Sequence, residues 1–351
     1  MSRFLTLIFS LFSFFFLSLS PIHAADLSQA TIVDIQGDSS SQEITLKISK
    51  GPLLDKSPLV INTSQRLGDY EYKLNQRVLV SSQINPLSGE VEYRIEDYLR
   101  SDALLLLTLI FLVVTIFVAK LYGLTSLLGM VISFFVIFKF TLPNILAGRD
   151  PILFTIISSL FILPPTFYLS HGLNKKTSLA LIATIVSIVV TGFLALLFSN
   201  LAYLQGTASE ESSFVASLFN YQINLKNLLL SGIIIGSMGI LDDVAISQVA
   251  IVKQLSETIT KPKFSQLYTR AMAVGRDHVS SMINTLILVY AGSSLPLLIL
   301  FSSSSLSFSE LINYQIIAEE IVKTLVGSIS LMLCVPLSTI LAARNYSHKK
   351  D

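Results

Sequence analysis

Apolar and polar positions divide this chain into two regimes. Between residues 25 and 98 they alternate. The clearest stretches are Thr31-Ile32-Val33-Asp34-Ile35, Glu43-Ile44-Thr45-Leu46-Lys47-Ile48, Arg77-Val78-Leu79-Val80 and Glu90-Val91-Glu92-Tyr93-Arg94-Ile95. A period of two marks strands with one face buried. Gly37-Asp38-Ser39, Gly51-Pro52, Gly68-Asp69 and Asn85-Pro86 supply turn chemistry between them. The pattern predicts a small all-β domain over 25–98, a barrel or sandwich of OB or SH3 type.

From Ala103 onward the alternation gives way to long apolar runs. About 20 residues of helix are needed to cross a ~30 Å hydrocarbon core. On that measure the runs predict seven spans, near 103–119, 123–142, 152–169, 177–199, 227–248, 279–301 and 320–342. The fold class expected is therefore an all-α polytopic membrane helix bundle over 99–351, carrying the N-terminal all-β domain. Loops between the spans are short. Exceptions are 200–225, which contains Ser and Glu, and 253–277, which is basic and holds the helix breaker Lys261-Pro262-Lys263. The Ser-rich run 302–309 reads as a linker.

Composition agrees with this division. Of 351 residues, 52% are hydrophobic and only 13% charged, against about 25% charged in an ordinary soluble protein. Mean hydropathy is +0.68. The N-terminus has Arg3, an apolar run from Phe4 to Leu19, and Pro21-Ile22-His23-Ala24. That is the pattern of a signal peptide over 1–24, cleaved after Ala24 or retained as an anchor. With the β domain exported, the inner loops hold Lys120, Lys175, Lys176, Lys253, Lys261, Lys263, Arg270, Arg276, Arg344, Lys349 and Lys350. The outer connections hold Arg149, Lys226 and Lys323, with Lys139 near the outer end of its span. This bias predicts an inner-membrane protein with its β domain outside and its C-terminus in the cytoplasm.

A formal net charge of +1 gives no ground for a nucleic-acid partner. Cys334 is the single cysteine, and His23, His171, His278 and His348 lie far apart. No metal site and no cofactor is expected from such spacing. Lys175-Lys176-Thr177 lacks the spacing of a nucleotide-binding loop.

The candidate chemistry sits in the fifth and sixth spans. Asp242 and Asp243 interrupt the run from Ile234 to Val252, and an ionisable residue in the bilayer is a functional candidate by default. At 100° per residue, Gly232, Gly236, Gly239, Asp243 and Ser247 share one stripe, with Asp242 about 100° away. The glycines read as helix-packing residues, which puts Asp243 on the contact face. In the sixth span Asp277, Ser281, Asn284, Leu288 and Ala291 share a face. Asp243 and Asn284 each lie about 8–9 Å from the inner ends of their spans. The expectation is a polar ion, proton or solute site built from Asp243, Asn284 and Ser281, with Arg276 and Asp277 at its mouth.

These two helices resemble the YibE/F-like family of bacterial multi-pass membrane proteins. The resemblance rests on Gly236-Ser-Met-Gly239-Ile-Leu-Asp-Asp243-Val-Ala-Ile-Ser247, Gly275-Arg276-Asp277-His278 and Asn284 through Leu297. Ile95 to Arg100 and Gly172 to Thr177 extend it. It implies an exported N-terminal portion. The family's acidic position aligns with Asp243, and Asp242 stands where an apolar residue is usual. The family supplies no substrate.

The residues thus favour a non-enzymatic role, as a transporter of a small solute or ion or a subunit of one. The other reading is a membrane scaffold or receptor whose β domain binds a partner. An aspartyl hydrolase using Asp243 and Asp277 is disfavoured, because the two differ in depth by more than a helical turn and no GxGD motif occurs. The partners expected are the lipid bilayer and either a second copy or a second membrane subunit.

Overall fold

The computed structural model describes residues 27–38, 41–54, 59–64, 72–84, 91–219, 222–304 and 306–347. The signal-peptide segment 1–24 and the basic end of the tail lie outside the described residues. The chain divides into two compact units with their boundary at Lys120.

The first unit holds five antiparallel strands, β1 (Ser28–Asp38), β2 (Ser41–Lys50), β3 (Leu59–Ser64), β4 (Arg77–Ile84) and β5 (Val91–Tyr98), in the order β3-β2-β1-β4-β5. Alternation placed four of them. It missed β3, because Leu-Val-Ile-Asn-Thr-Ser carries its apolar residues in a block. Pairing sets Ile32 beside Leu46, Ile35 beside Ile44 and Val80 beside Ile95. Residues of one parity therefore form a single apolar core, with Ile32, Ile44, Leu46, Val78 and Val80 fully buried. Gly51 (φ +116°) is fixed by close approach, since a Cβ there would lie 2.7 Å from Ser28. The Ser28 hydroxyl in turn accepts the Leu53 N–H at 3.0 Å.

Helix α1 (Ser101–Val136) begins in this unit, and its Asp102 pairs with Arg77 at the start of β4. Helical structure continues through a π-helical turn (Ile137–Thr141) and α2 (Leu142–Leu146). Two spans were expected over this stretch. The structure gives one 46-residue helical run broken at Lys120, which takes φ 52° and ψ −131°. A residue with a Cβ rarely adopts that conformation, so Lys120 is the hinge between two helical arms.

The second unit is helical. Its elements are α3 (Pro151–His171), α4 (Lys175–Leu201), α5 (Glu210–Leu218), α6 (Leu225–Thr258), α7 (Phe264–Ser293), α8 (Leu295–Ser302), α9 (Phe308–Leu311) and α10 (Gln315–Tyr346). Among the described residues five helices are long and apolar enough to cross a membrane, or six if α7 and α8, bent by 69°, make one span. The loop expected at 253–277 is mostly helix, for α6 runs on to Thr258 and α7 starts at Phe264. Only the segment around Pro262, which lacks an N–H, separates them. Pro164, Pro165 and Pro336 sit inside α3 and α10 without ending them.

Helices α4, α6 and α10 form the centre, with α3 against α6 and α7 against α10. Side-chain contacts fix their directions. Lys226 of α6 meets Asn200 of α4, while Lys175 of α4 reaches the Asn345 carbonyl of α10, so α4 is antiparallel to both. Leu241 meets Cys334 and Gln248 meets Thr339, so α6 and α10 are parallel. Ala271 and Gly275 of α7 lie against Gln248 and Val335, and Tyr290 lies near Gly327, so α7 runs back the other way.

Candidate functional site

Helix α6 organises the site. Asn224 caps it by accepting the Asn227 N–H at 3.0 Å, satisfying one donor of the first turn. Its buried face carries Leu230, Ile233, Ile234, Leu241, Val244, Ala245, Gln248, Val249 and Val252. This face meets α4 and α10.

The glycine stripe lies on the opposite side. Gly232, Gly236, Gly239 and Asp243 are all exposed. A Cβ on any of the three glycines would meet no atom within 4 Å. Among the described residues, then, no helix packs on them, and Asp243 is not on the contact face. The reason is visible in the alternative face: bulky Leu, Ile and Val residues on the other side of α6 fill the spaces beside α4 and α10 and bury more apolar surface than glycines can. Asp242, one residue earlier and about 100° round the helix, is half-buried. It directly follows the buried Leu241, whose carbonyl lies 3.7 Å from the Cys334 thiol of α10. The inward carboxylate is Asp242.

On α7 the expected face is also the outer one. Arg276, Asp277, Ser281, Asn284 and Leu288 are exposed, while Leu267, Ala271, Gly275 and Leu286 are buried. Among the described residues no hydrogen bond or ion pair joins Asp243 to Asn284, Ser281, Asp277 or Arg276. Gly275 is the residue of this motif that faces inward. A Cβ there would lie 2.7 Å from Val335 and 2.9 Å from the Gln248 amide nitrogen, so α7 needs glycine to approach α6 and α10.

What lines the junction of α4, α6 and α10 is a seam of small polar residues. Thr184, Ser187 and Thr191 of α4, Ser237 and Gln248 of α6, and Ser330, Cys334, Ser338 and Thr339 of α10 are all buried. Most hydroxyls bond back to their own helix, as Ser187 does to Ala183 (2.9 Å), Thr191 to Ser187 (2.8 Å) and Ser338 to Cys334 (2.7 Å). Such bonds satisfy a hydroxyl without water. The Cys334 thiol donates to the Leu241 carbonyl of α6 at 3.7 Å. Gln248 ties three helices together, donating to the Ala271 carbonyl (3.0 Å) and the Thr339 hydroxyl (2.8 Å). Among the described residues Thr155, Thr184, Ser199, Gln248 and Ser328 each keep a buried side-chain atom without a protein partner, and two of these, Gln248 Oε1 and Thr184 Oγ1, belong to the seam.

Sequence reasoning missed the seam although a signal existed. Ser187 and Thr191, and Ser330, Cys334 and Ser338, recur every fourth residue, which puts each set on one helix face. Among the described residues no three His, Cys, Asp or Glu side chains are placed to hold a metal ion.

The family model described as YibE/F-like protein matches residues 107–348. The chain belongs to the YibE/F-like family. The match covers the seam, the stripe and α7, and with the apolar helices it makes this a membrane protein. No curated protein and no solved structure matches the chain.

Proposed function

We propose that this YibE/F-like chain is a transporter, or a transporter subunit, for a small solute or ion, working through the polar seam between α4, α6 and α10. The observation that carries the reading is Asp242, a half-buried carboxylate on α6 that directly follows Leu241, whose carbonyl lies 3.7 Å from the thiol of the seam residue Cys334. A carboxylate at membrane depth costs roughly 2.5–3.5 kcal/mol on insertion scales. A packed bundle that keeps a partly buried carboxylate in such a helix has a use for its charge or its proton. Asp243 retains a second role at the outer surface of α6, where a partner helix can reach it.

In this reading the break at Lys120 makes two crossings of α1, α7 and α8 together make one, and α3, α4, α6 and α10 complete seven. The alternating helix directions and the lysine placement support a β domain outside the inner membrane and a cytoplasmic C-terminus. The order β3-β2-β1-β4-β5 supports an OB-type domain.

The test is flux in proteoliposomes carrying a trapped pH dye, with proton and alkali-cation gradients and a panel of small organic ions. Asp242→Asn is expected to abolish flux and Asp243→Asn to leave most of it. If wild-type protein moves none of these, or if Asp242→Asn moves them as well as wild type, the proposal fails.

A further inference from the structure

At the end of the bundle where α4 finishes and α6 and α10 begin, a cavity of about 580 Å³ opens between the end of α4, the start of α6 and the 202–209 loop. Its polar lining is Asn200, Tyr203, Gln205, Thr207, Asn224 and Lys226. Among the described residues that line it none is acidic, and Lys226 is the one cation. Lys226 is partly exposed, and its ammonium donates to the Asn200 side-chain oxygen at 2.6 Å. An ammonium has three donors, so two remain free.

The cavity is built rather than left over. Gly206 (φ +74°) presses on the backbone of Leu225 so closely that a Cβ would collide with the Leu225 carbonyl. The Gly206 N–H is taken by Glu319 of α10 at 3.1 Å, and Gln315 donates to both Glu319 (2.8 Å) and the Thr207 hydroxyl (3.3 Å). Glu319 is buried, does not line the cavity, and spends its carboxylate on this latch. Thr207 and Gln205 are therefore presented by a loop already fixed. Leu225 and Lys226 also open the first turn of a 34-residue helix, whose backbone N–H groups favour negative charge.

We infer that this cavity binds a phosphate group, with Lys226 as its counter-charge and Asn200, Gln205 and Thr207 as neutral partners. The same chemistry is offered by a free phosphate ester and by a phospholipid headgroup at the membrane surface. The site stands whether or not the bundle moves a solute, and its readout is binding alone.

The experiment uses the full chain in nanodiscs of zwitterionic lipid, titrated calorimetrically with inorganic phosphate and with glycerol 3-phosphate. A parallel thermal-shift series adds phosphatidylglycerol. Phosphate binding that weakens at least tenfold in Lys226→Gln, the scale of one charge-assisted contact, and persists in Lys226→Arg supports a soluble ligand. Stabilisation by phosphatidylglycerol alone, with the same dependence on Lys226, supports the headgroup. Thr207→Val keeps every charge and is expected to weaken binding severalfold, which covers the case that Lys226→Gln does not fold. Lys323→Gln, at the same end but paired with Glu320, is expected to bind as wild type. No binding of any probe, or equal loss in Lys226→Gln and Lys323→Gln, overturns the site.

Discussion

The β domain and the helical bundle are built inside out relative to each other. In the β domain the buried residues are Ile32, Ile44, Leu46, Val78 and Val80, and its buried hydroxyls are Ser28 and Ser81. In the helical unit Phe161, Val189 and Phe193 are among the exposed side chains, while buried Ser and Thr stand among the Leu, Ile and Val of the α4–α6–α10 junction. The same apolar side chains are core in one unit and surface in the other because the surrounding solvent differs. Water drives Ile and Val together. Lipid is as apolar as they are, so helices associate through close packing of small residues and internally bonded hydroxyls.

The largest effect that sharpens this contrast is in the β domain. Ile44→Ala should cost about 2–5 kcal/mol, read as a lowered midpoint in chemical denaturation of that domain. Phe193→Ala, at an exposed position of α4, should change bundle stability by less than about 0.5 kcal/mol. Comparable losses at both sites would break the contrast.

Next is Gly275→Ala. With Val335 and Gln248 in the way, it should cost about 1–3 kcal/mol through overpacking and raise amide exchange in α7. Gly236→Ala meets nothing among the described residues. As a monomer it should be neutral or gain up to about 1 kcal/mol from helix propensity. A loss of self-association or of a co-purifying membrane subunit in Gly236→Ala, with the monomer intact, would show that the stripe packs between chains.

The smallest effect is local. Ser307 gives both its backbone N–H and its hydroxyl to the Glu310 carboxylate, each at 2.7 Å, and holds that carboxyl below its usual value of 4.5. A depressed carboxyl stabilises the folded form above its unfolded value, and the contribution disappears as pH falls through the folded one. The short helix α9 should therefore fray only below about pH 4.5. Ser307→Ala should raise the Glu310 titration midpoint, measured by carboxyl carbon chemical shift.

The strands β1, β2, β4 and β5 were legible because one face of each is wet, and alternation writes that onto the residues. Long apolar helices were legible because length and apolarity suffice to mark them, although the described residues give five or six candidate spans where seven were expected. The break at Lys120 was legible as the boundary between the runs 103–119 and 123–142, but its form, one residue at φ 52° within a continuous helical run, was not. The site was half legible. The motif positions around Asp242, Asp243 and Gly275 stood out as residues, but a glycine stripe reads as a contact face by itself, and only the packed neighbours show that Gly275 is the close-approach glycine while Gly236 is bare.

Residue order alone decided that this protein has a β domain joined to a set of apolar helices, because periodicity is a local property and solvent selects it one segment at a time. Which side of α6 turns inward was decided only by tertiary packing. Two candidate faces, one of glycines and Asp243 and one of Leu, Ile, Val and Asp242, are both acceptable to an isolated helix. The choice fell to α4 and α10, whose complementary surfaces the bulkier face fills and the glycine face does not.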